Sequence, residues 1–353
     1  MSKITVAVLF GGVSAEHEIS KLSAINVISG LDKEKYNVIP VYITKKGRWL
    51  LFDGPYDAIA RDIPENLYAE AVLSPASGGN ILRIVSGKAK SIAVDIVFPA
   101  LHGKNGEDGS VQGLCELARA PYVGCGVLAS SLSMDKAMTK LVVDSIGVRQ
   151  ARHLFFDRAG AGDFAALFKA VKSKIGFPCF VKPANTGSSI GISKAVDKES
   201  LAEAVKLAFS HDRRILIEKA IVGREFECAV LGNDEPVASD VGEIIVPGGF
   251  YDYDAKYIND SAETVVAPEL PPEIREEIRS QTVRIFKAVD GLGLARVDFF
   301  LENGTNRVIF NEINTIPGFT SISMFSKMWG ASGLSWPALC DRLIELGLER
   351  YSL

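Results

Sequence analysis

Arg296, Asp298, Glu312 and Asn314 sit inside two strongly apolar runs, Ala295-Arg-Val-Asp-Phe-Phe-Leu301 and Val308-Ile-Phe-Asn-Glu-Ile-Asn314, separated by an Asn303-Gly304 turn. Runs this rich in Val, Ile and Phe predict a β-hairpin buried on at least one face. Polar groups on such a ribbon are costly unless they bind something. Alternation along a strand puts Glu312 with Asn314 on one face and Arg296 with Asp298 on one face. Two carboxylates and an amide oxygen suit a hard cation such as Mg²⁺, which takes few protein ligands plus phosphate and water. The plainer alternative is a structural ion pair, Arg296 with Glu312. A strict two-residue loop would send Asp298 and Glu312 to opposite faces. A loop of three or five residues, with Arg296 opposite Glu312, is therefore expected.

Lys182-Pro-Ala-Asn-Thr-Gly-Ser-Ser-Ile-Gly191 joins two predicted strands. Gly187 and Gly191 permit close approach of backbone to a phosphate, and Ser188 and Ser189 add hydroxyl donors. It is not a Walker A motif, and without Lys182 it would read as a flexible hairpin loop. Lys182, leaving an apolar strand, wants an anionic partner. Lys136, at a helix start, is a second candidate cation, although alone it would be solvated. In Ile215-Leu-Ile-Glu218-Lys219 a strand end could meet adenine through main-chain groups from Lys219 to Ile221, with Glu225 accepting from ribose hydroxyls; an ordinary strand end is the alternative. Gly11-Gly-Val-Ser-Ala-Glu16-His-Glu18 places carboxylates at a helix N-terminus beyond a buried strand, where ligands bind in α/β sheets; complementing the helix dipole is the alternative. Tyr251-Asp-Tyr-Asp-Ala-Lys-Tyr257 has the polar, aromatic composition of a loop covering an active site, or of a solvated loop.

The elements that must position these residues read as alternating strands and helices. Residues 3–10 are a continuous apolar strand, with a helix from about Ser14 to Gly30 and strands at Asn37–Ile43 and Ala93–Pro99; residues 53–90 are weakly patterned and read as a surface excursion. Later strands are expected at Phe177–Lys182, Ile190–Ala195, Arg214–Glu218 and Glu225–Leu231, and helices at Asp135–Ile146, Leu201–Ser210 and Pro272–Val289. The 353 residues allow two or three domains. A net charge of −4 gives no basic field, so nucleic acid is not an expected partner. No apolar run has membrane-spanning length, and the N-terminus reads as a first strand, not a signal peptide. Five cysteines without C-x-x-C spacing read as reduced core thiols of a cytoplasmic protein.

Together these motifs resemble the D-alanine–D-alanine ligases of the ATP-grasp superfamily. The resemblance covers nearly the whole chain: Gly11–Ser20, His102-Gly with Gly106-Glu-Asp-Gly109, Val123-Gly with Ser133-Met-Asp-Lys136, Phe180–Gly191, Glu218-Lys219, Gly223–Gly232, Phe250–Tyr257, Ala295–Asp298 and Asn311–Ser321. It implies an α/β fold of three domains: residues 1–126, a doubly wound parallel-sheet domain; residues 127–222, a central α+β unit with the glycine–serine loop; and residues 223–353, a C-terminal α+β unit with metal site and lid, the last two clamping ATP. The implied reaction joins two D-alanines through a D-alanyl phosphate, giving ADP, phosphate and a dipeptide for peptidoglycan synthesis. Lys136, Lys182, Ser189 and Lys256 would meet the phosphates, and Glu218, Lys219, Ile221 and Glu225 the adenosine. Asp298, Glu312 and Asn314 would hold two Mg²⁺ or Mn²⁺ ions. Arg296 and the Gly318 N–H match oxyanion stabilisers. Glu16, with His102, matches the first substrate's ammonium site, and Ser323 with Met324 the second substrate's carboxylate site. Glu16, Ser188 and Tyr257 match a set that ties a lid over residues 248–260 shut. Tyr257 favours a dipeptide over a D-lactate product. A homodimer and a cytoplasmic location are implied too. A D-Ala-D-Ser-type or biotin-carboxylase-like ligase is the alternative enzyme. A nucleotide-binding regulator without turnover fits poorly, since Lys182, Arg296, Asp298, Glu312 and Asn314 are all present.

Overall fold

The apolar run near the N-terminus becomes β1 (Ile4–Gly11), in which every side chain from Val6 to Phe10 is fully buried. It is paired in parallel on both sides, with β2 (Tyr36–Ile43) and β7 (Ile96–Pro99). A strand covered on both faces needs apolar residues at successive positions, which is why its sequence does not alternate. Val6, Val8 and Phe10 share a core with Ala24, Val27 and Ile28 of α1 (His17–Gly30); Ala7 and Leu9 share another with Val111, Cys115 and Ala118 of α2 (Ser110–Ala118). The protein is described by a computed structural model over residues 2–85, 88–245, 263–320 and 322–352.

Beyond β2 the same sheet continues antiparallel through β3 (Trp49–Leu51), β4 (Glu70–Leu73), β5 (Ile81–Val85) and β6 (Lys88–Ile92). This corrects two expectations: the sheet is mixed, with a parallel centre, and residues 53–90 supply strands of it. The edge strand β6 exposes Lys88 to Ser91. Charged edges of this kind discourage edge-to-edge pairing and erase the apolar alternation by which a strand is recognised.

A four-stranded antiparallel sheet, ordered β10-β9-β11-β8, follows: β8 (His153–Asp157), β9 (Cys179–Pro183), β10 (Ser193–Ala195) and β11 (Arg214–Lys219). Helices α3 (Val127–Met134) and α4 (Lys136–Ser145) precede it, and α5 (Phe164–Lys174) and α6 (Lys198–His211) bury their apolar faces against it. Asp135 caps α4, its carboxylate accepting from the N–H groups of Ala137 and Met138. The third sheet is ordered β14-β13-β12-β15-β16, from β12 (Gly223–Gly232), β13 (Val237–Ile245), β14 (Glu263–Val266), β15 (Gly293–Glu302) and β16 (Arg307–Asn314). Helix α7 (Pro272–Ala288) packs on it. Helix α8 (Met324–Ala331) leads to α9 (Trp336–Glu349), whose Leu339, Leu343 and Ile344 return to the first core beside Val6 and Val8.

The β15–β16 hairpin corrects the expected register. Near the turn Glu302 faces Arg307 and Phe299 faces Phe310, leaving a four-residue connection, 303–306. A β-bulge between Asp298 and Phe299 then shifts the ladder, so that Asp298 faces Glu312 and Arg296 faces Asn314. A bulge adds one residue to one strand and re-aims the side chains beyond it. Here it brings all four polar residues to one face, which the four-residue connection alone would not do.

Candidate active site

The three sheets converge on a cleft of about 860 Å³, solvent mouth included. From the first unit come Glu16 and His102, from the central one Lys136, Ser188 and Ser189, and from the third Arg296, Glu312, Asn314 and Gly318. Nine residues singled out from the sequence thus line one cavity. Lys182, Glu218 and Asp298 are not among the residues that line it. Lys256 and Tyr257, with the expected lid, lie outside the described residues.

Glu16 precedes α1 and makes no capping hydrogen bond with its side chain. Its carboxylate lies between two glycines. A Cβ on Gly103 would stand 2.6 Å from Glu16 Oε2, and one on Gly187 would stand 3.3 Å from it. Glu18 is instead surface chemistry: its bonds to Lys21 and Lys45, at 2.8 Å each, hold its carboxyl at about 2. In the glycine–serine loop Ser188 and Ser189 both have left-handed backbone, φ 50° and 58°. Such conformations are uncommon outside glycine and concentrate at ligand clamps. Lys136 Nζ donates to Thr186 O at 2.7 Å and stands 3.7 Å from Glu312 Oε2, joining the loop to the hairpin.

Behind the loop, Glu218 is shared by two lysines. One oxygen pairs with Lys182 and the other lies 2.9 Å from Lys140 Nζ. Burial alone would raise the Glu218 carboxyl, but the two ammonium groups outweigh it and hold the group at about 2. An unfolded glutamate titrates near 4.5. Because the folded value is the lower one, this site's stabilisation is complete above about pH 4.5 and is lost as pH falls towards 2. The stability gap between wild type and Glu218→Gln, from urea melts, should therefore shrink across that window; a gap independent of pH there would count against the pairing.

Arg296 chelates Asp298 through two bonds of 2.7 Å and reaches Glu227 Oε2 at 3.2 Å. Asn314 Nδ2 donates to Asp298 Oδ2 at 3.1 Å. Glu227, Asp298 and Glu312 form one row across three strands, because Asp298 faces Glu227 on β12 and Glu312 on β16. Arg296 therefore pairs with Asp298 and Glu227, not with Glu312 as the plainer reading of the hairpin had it. His102 Nε2 lies 2.8 Å from Ser23 Oγ, and its Nδ1 3.6 Å from Glu107. Burial disfavours the imidazolium, but the Glu107 carboxylate prevails and raises the His102 pKa. Ser23 Oγ also accepts from Phe319 N, and Asn26 Nδ2 donates to Phe319 O at 2.7 Å, so α1 holds the peptide after Gly318. Ser323 precedes α8, while the Met324 side chain is buried in the first core.

Lys219 Nζ donates to Phe177 O and its N–H to Arg152 O, so its ammonium and its N–H are both engaged within the protein. Ile221, in the connection between β11 and β12, and Glu225, near the start of β12, are half-buried. The sequence reading assigns no role to Gly103, Glu107 and Glu227, which lie inside its quoted motifs, or to Lys140. Lys140 follows Lys136 by one helical turn, and Glu227 follows Glu225 by one strand period; both spacings were legible.

Three sheet-based units closing on one cleft, with a glycine–serine hairpin loop over a carboxylate-bearing hairpin, make an ATP-grasp fold. The family model described as "D-ala D-ala ligase N-terminus" matches residues 5–125, and "D-ala D-ala ligase C-terminus" matches residues 142–345. A D-alanine–D-alanine ligase of Ruminiclostridium cellulolyticum is 49% identical, covering 99% of this chain and 97% of its own. The D-alanine–D-alanine ligase structure from Coxiella burnetii superposes with a TM-score of 0.87 at 36% identity, over 100% of this chain and 96% of that one. The VanG D-Ala:D-Ser ligase of Enterococcus faecalis gives 0.86 at 37% identity, over 98% and 100%. This chain belongs to the D-alanine–D-alanine ligase family and is an enzyme of the ligase class.

Proposed function

We propose that this chain joins two D-alanines at the expense of ATP, through a D-alanyl phosphate, to supply the dipeptide for peptidoglycan. The observation that carries the reading is the single cleft in which cations (Lys136, Arg296), a phosphate-type loop (Ser188, Ser189), carboxylates (Glu312, Glu16) and the Gly318 backbone meet.

An oxygen of the first D-alanine's carboxylate attacks the γ-phosphorus of ATP, and ADP leaves. The second D-alanine's amine, having lost a proton, attacks the acyl carbon; the carbonyl electrons move onto oxygen and then expel phosphate. Glu16 holds the first ammonium, with His102 and Glu107 behind it. Lys136, Lys182, Ser189 and Lys256 bind and orient the phosphates, since phosphoryl transfer is mainly positioning and charge stabilisation. Arg296 and the Gly318 N–H face the oxyanion. Ser323 and the Met324 main chain take the second carboxylate. The Lys219–Ile221 segment and Glu225 take the adenosine, and Tyr257 closes the set with Glu16 and Ser188. Asp298, Glu312 and Asn314 offer hard oxygens on one face and would hold Mg²⁺ or Mn²⁺, which supplies charge neutralisation at the phosphates. The Asn314 Nδ2–Asp298 bond leaves Asn314 Oδ1 suited to an ion. We retain residues 1–126, 127–222 and 223–353 as the domains, a homodimer as the assembly and the cytoplasm as the location. The five buried free thiols support that location, and light scattering tests the dimer.

The direct test is phosphate release from ATP with mass detection of products across D-alanine, D-serine and D-lactate. Release that requires D-alanine and yields D-Ala-D-Ala supports the reading; release without an amino acid, or a preferred D-Ala-D-Ser product, contradicts it. Gly103→Ala is expected to raise the KM for D-alanine about tenfold, about 1.4 kcal/mol, because the new methyl would stand 2.5 Å from Ser14 Oγ and 2.6 Å from Glu16 Oε2 and displaces the carboxylate. An unchanged KM in the folded variant would remove Glu16 from the substrate site.

A further inference from the structure

Lys140 is one of the largest fully buried side chains of the protein, yet it does not reach the cleft. Its ammonium meets Glu218 Oε2 at 2.9 Å and stands 5.8 Å from the centre of the Phe310 ring. A dry ammonium is expensive, and an apolar residue at such a position is often as stable or more so. The cost therefore needs a compensating role. The other Glu218 oxygen holds Lys182, the lysine that enters the glycine–serine loop from β9. Two ammonium groups on one carboxylate leave this buried set with one net positive charge. Without Lys140 the set would be neutral, and Glu218 would hold Lys182 alone as a closed ion pair.

We infer that Lys140 is a positioning residue for the nucleotide's phosphates: by taking half of Glu218 it leaves the Lys182 ammonium able to turn to an anion. The inference rests on the reading of Lys182 as a phosphate ligand. Lys140 touches no substrate and acts through Glu218.

The test compares ADP with adenosine by calorimetric titration, so that adenine and ribose contacts cancel and the phosphate contribution remains. In Lys140→Met, ADP should weaken about tenfold or more, the scale of one charge-assisted hydrogen bond, while adenosine changes less than about twofold. Adding Glu218→Gln to that variant removes the competing carboxylate and should return the ADP-to-adenosine ratio to within about threefold of wild type. Unchanged ADP binding in folded Lys140→Met, or a parallel loss of ADP and adenosine, would overturn the inference in favour of a purely structural lysine. Should Lys140→Met fail to fold, the double variant, which buries one charge fewer on each side, carries the test: a tenfold loss of the ratio there overturns it. A wild type that binds ADP no more tightly than adenosine would instead remove the nucleotide reading on which the inference stands.

Discussion

Glu312→Gln is expected to lower kcat at least about a thousandfold, because metal-assisted charge stabilisation is worth several kcal/mol and each ~1.4 kcal/mol is tenfold in rate. The substitution preserves shape but removes the one carboxylate of the hairpin that lines the cleft, where it also stands 3.7 Å from Lys136. On the proposed reading Glu312 would hold Mg²⁺ or Mn²⁺ with Asp298 and Asn314. Titration with Mn²⁺ followed by electron spin resonance supplies the second readout: the variant should bind the ion more weakly in the presence of ADP. Near-normal turnover at saturating Mg²⁺, together with unaltered Mn²⁺ binding, would refute the metal assignment.

Arg296→Met is expected to destabilise the protein by about 3–5 kcal/mol, the range for removing one partner of a buried ion pair, and to abolish ligation as well. Arg296 is the cation between Asp298, which is 3% exposed, and Glu227, which is 4% exposed. Without it the two carboxylates face each other across β12 and β15 with less of their repulsion compensated. Removing the cation favours their protonated forms, so the lost stability grows as pH rises through the carboxylate range and shrinks in acid. Thermal melts at pH 5 and pH 8 check this. A melting-temperature loss larger at pH 5 than at pH 8 would mean that Arg296 is not what neutralises the row.

Local patterns made the elements legible. The unbroken apolar run of β1, the Asp135 cap of α4 and the alternation in β15 and β16 each specify one conformation. The chemistry of the cleft was legible because carboxylates and lysines stood where burial made them costly. Long-range geometry was hidden. The bulge at Asp298–Phe299 has no sequence signature, yet it decides that Asp298 faces Glu312 and that Arg296 faces Asn314. Glu107 acquires meaning when the loop after β7 turns it back on His102, and Ser23 when α1 brings it to the same imidazole. β6 is hard to read as a strand because an exposed edge carries charge where a buried strand would alternate. Lys140 follows Lys136 by one helical turn, but its burial beneath Glu218 is a property of packing between α4 and the central sheet.

The central claim is that the first D-alanine's carboxylate oxygen takes the phosphoryl group before the peptide bond forms. D-alanine labelled with oxygen-18 in both carboxylate oxygens tests it most directly, with the released nucleotide and phosphate analysed by mass spectrometry. The expected products are ADP, unlabelled, and one labelled oxygen in inorganic phosphate for each dipeptide formed. Unlabelled phosphate, or label carried off in AMP with pyrophosphate as co-product, would contradict it.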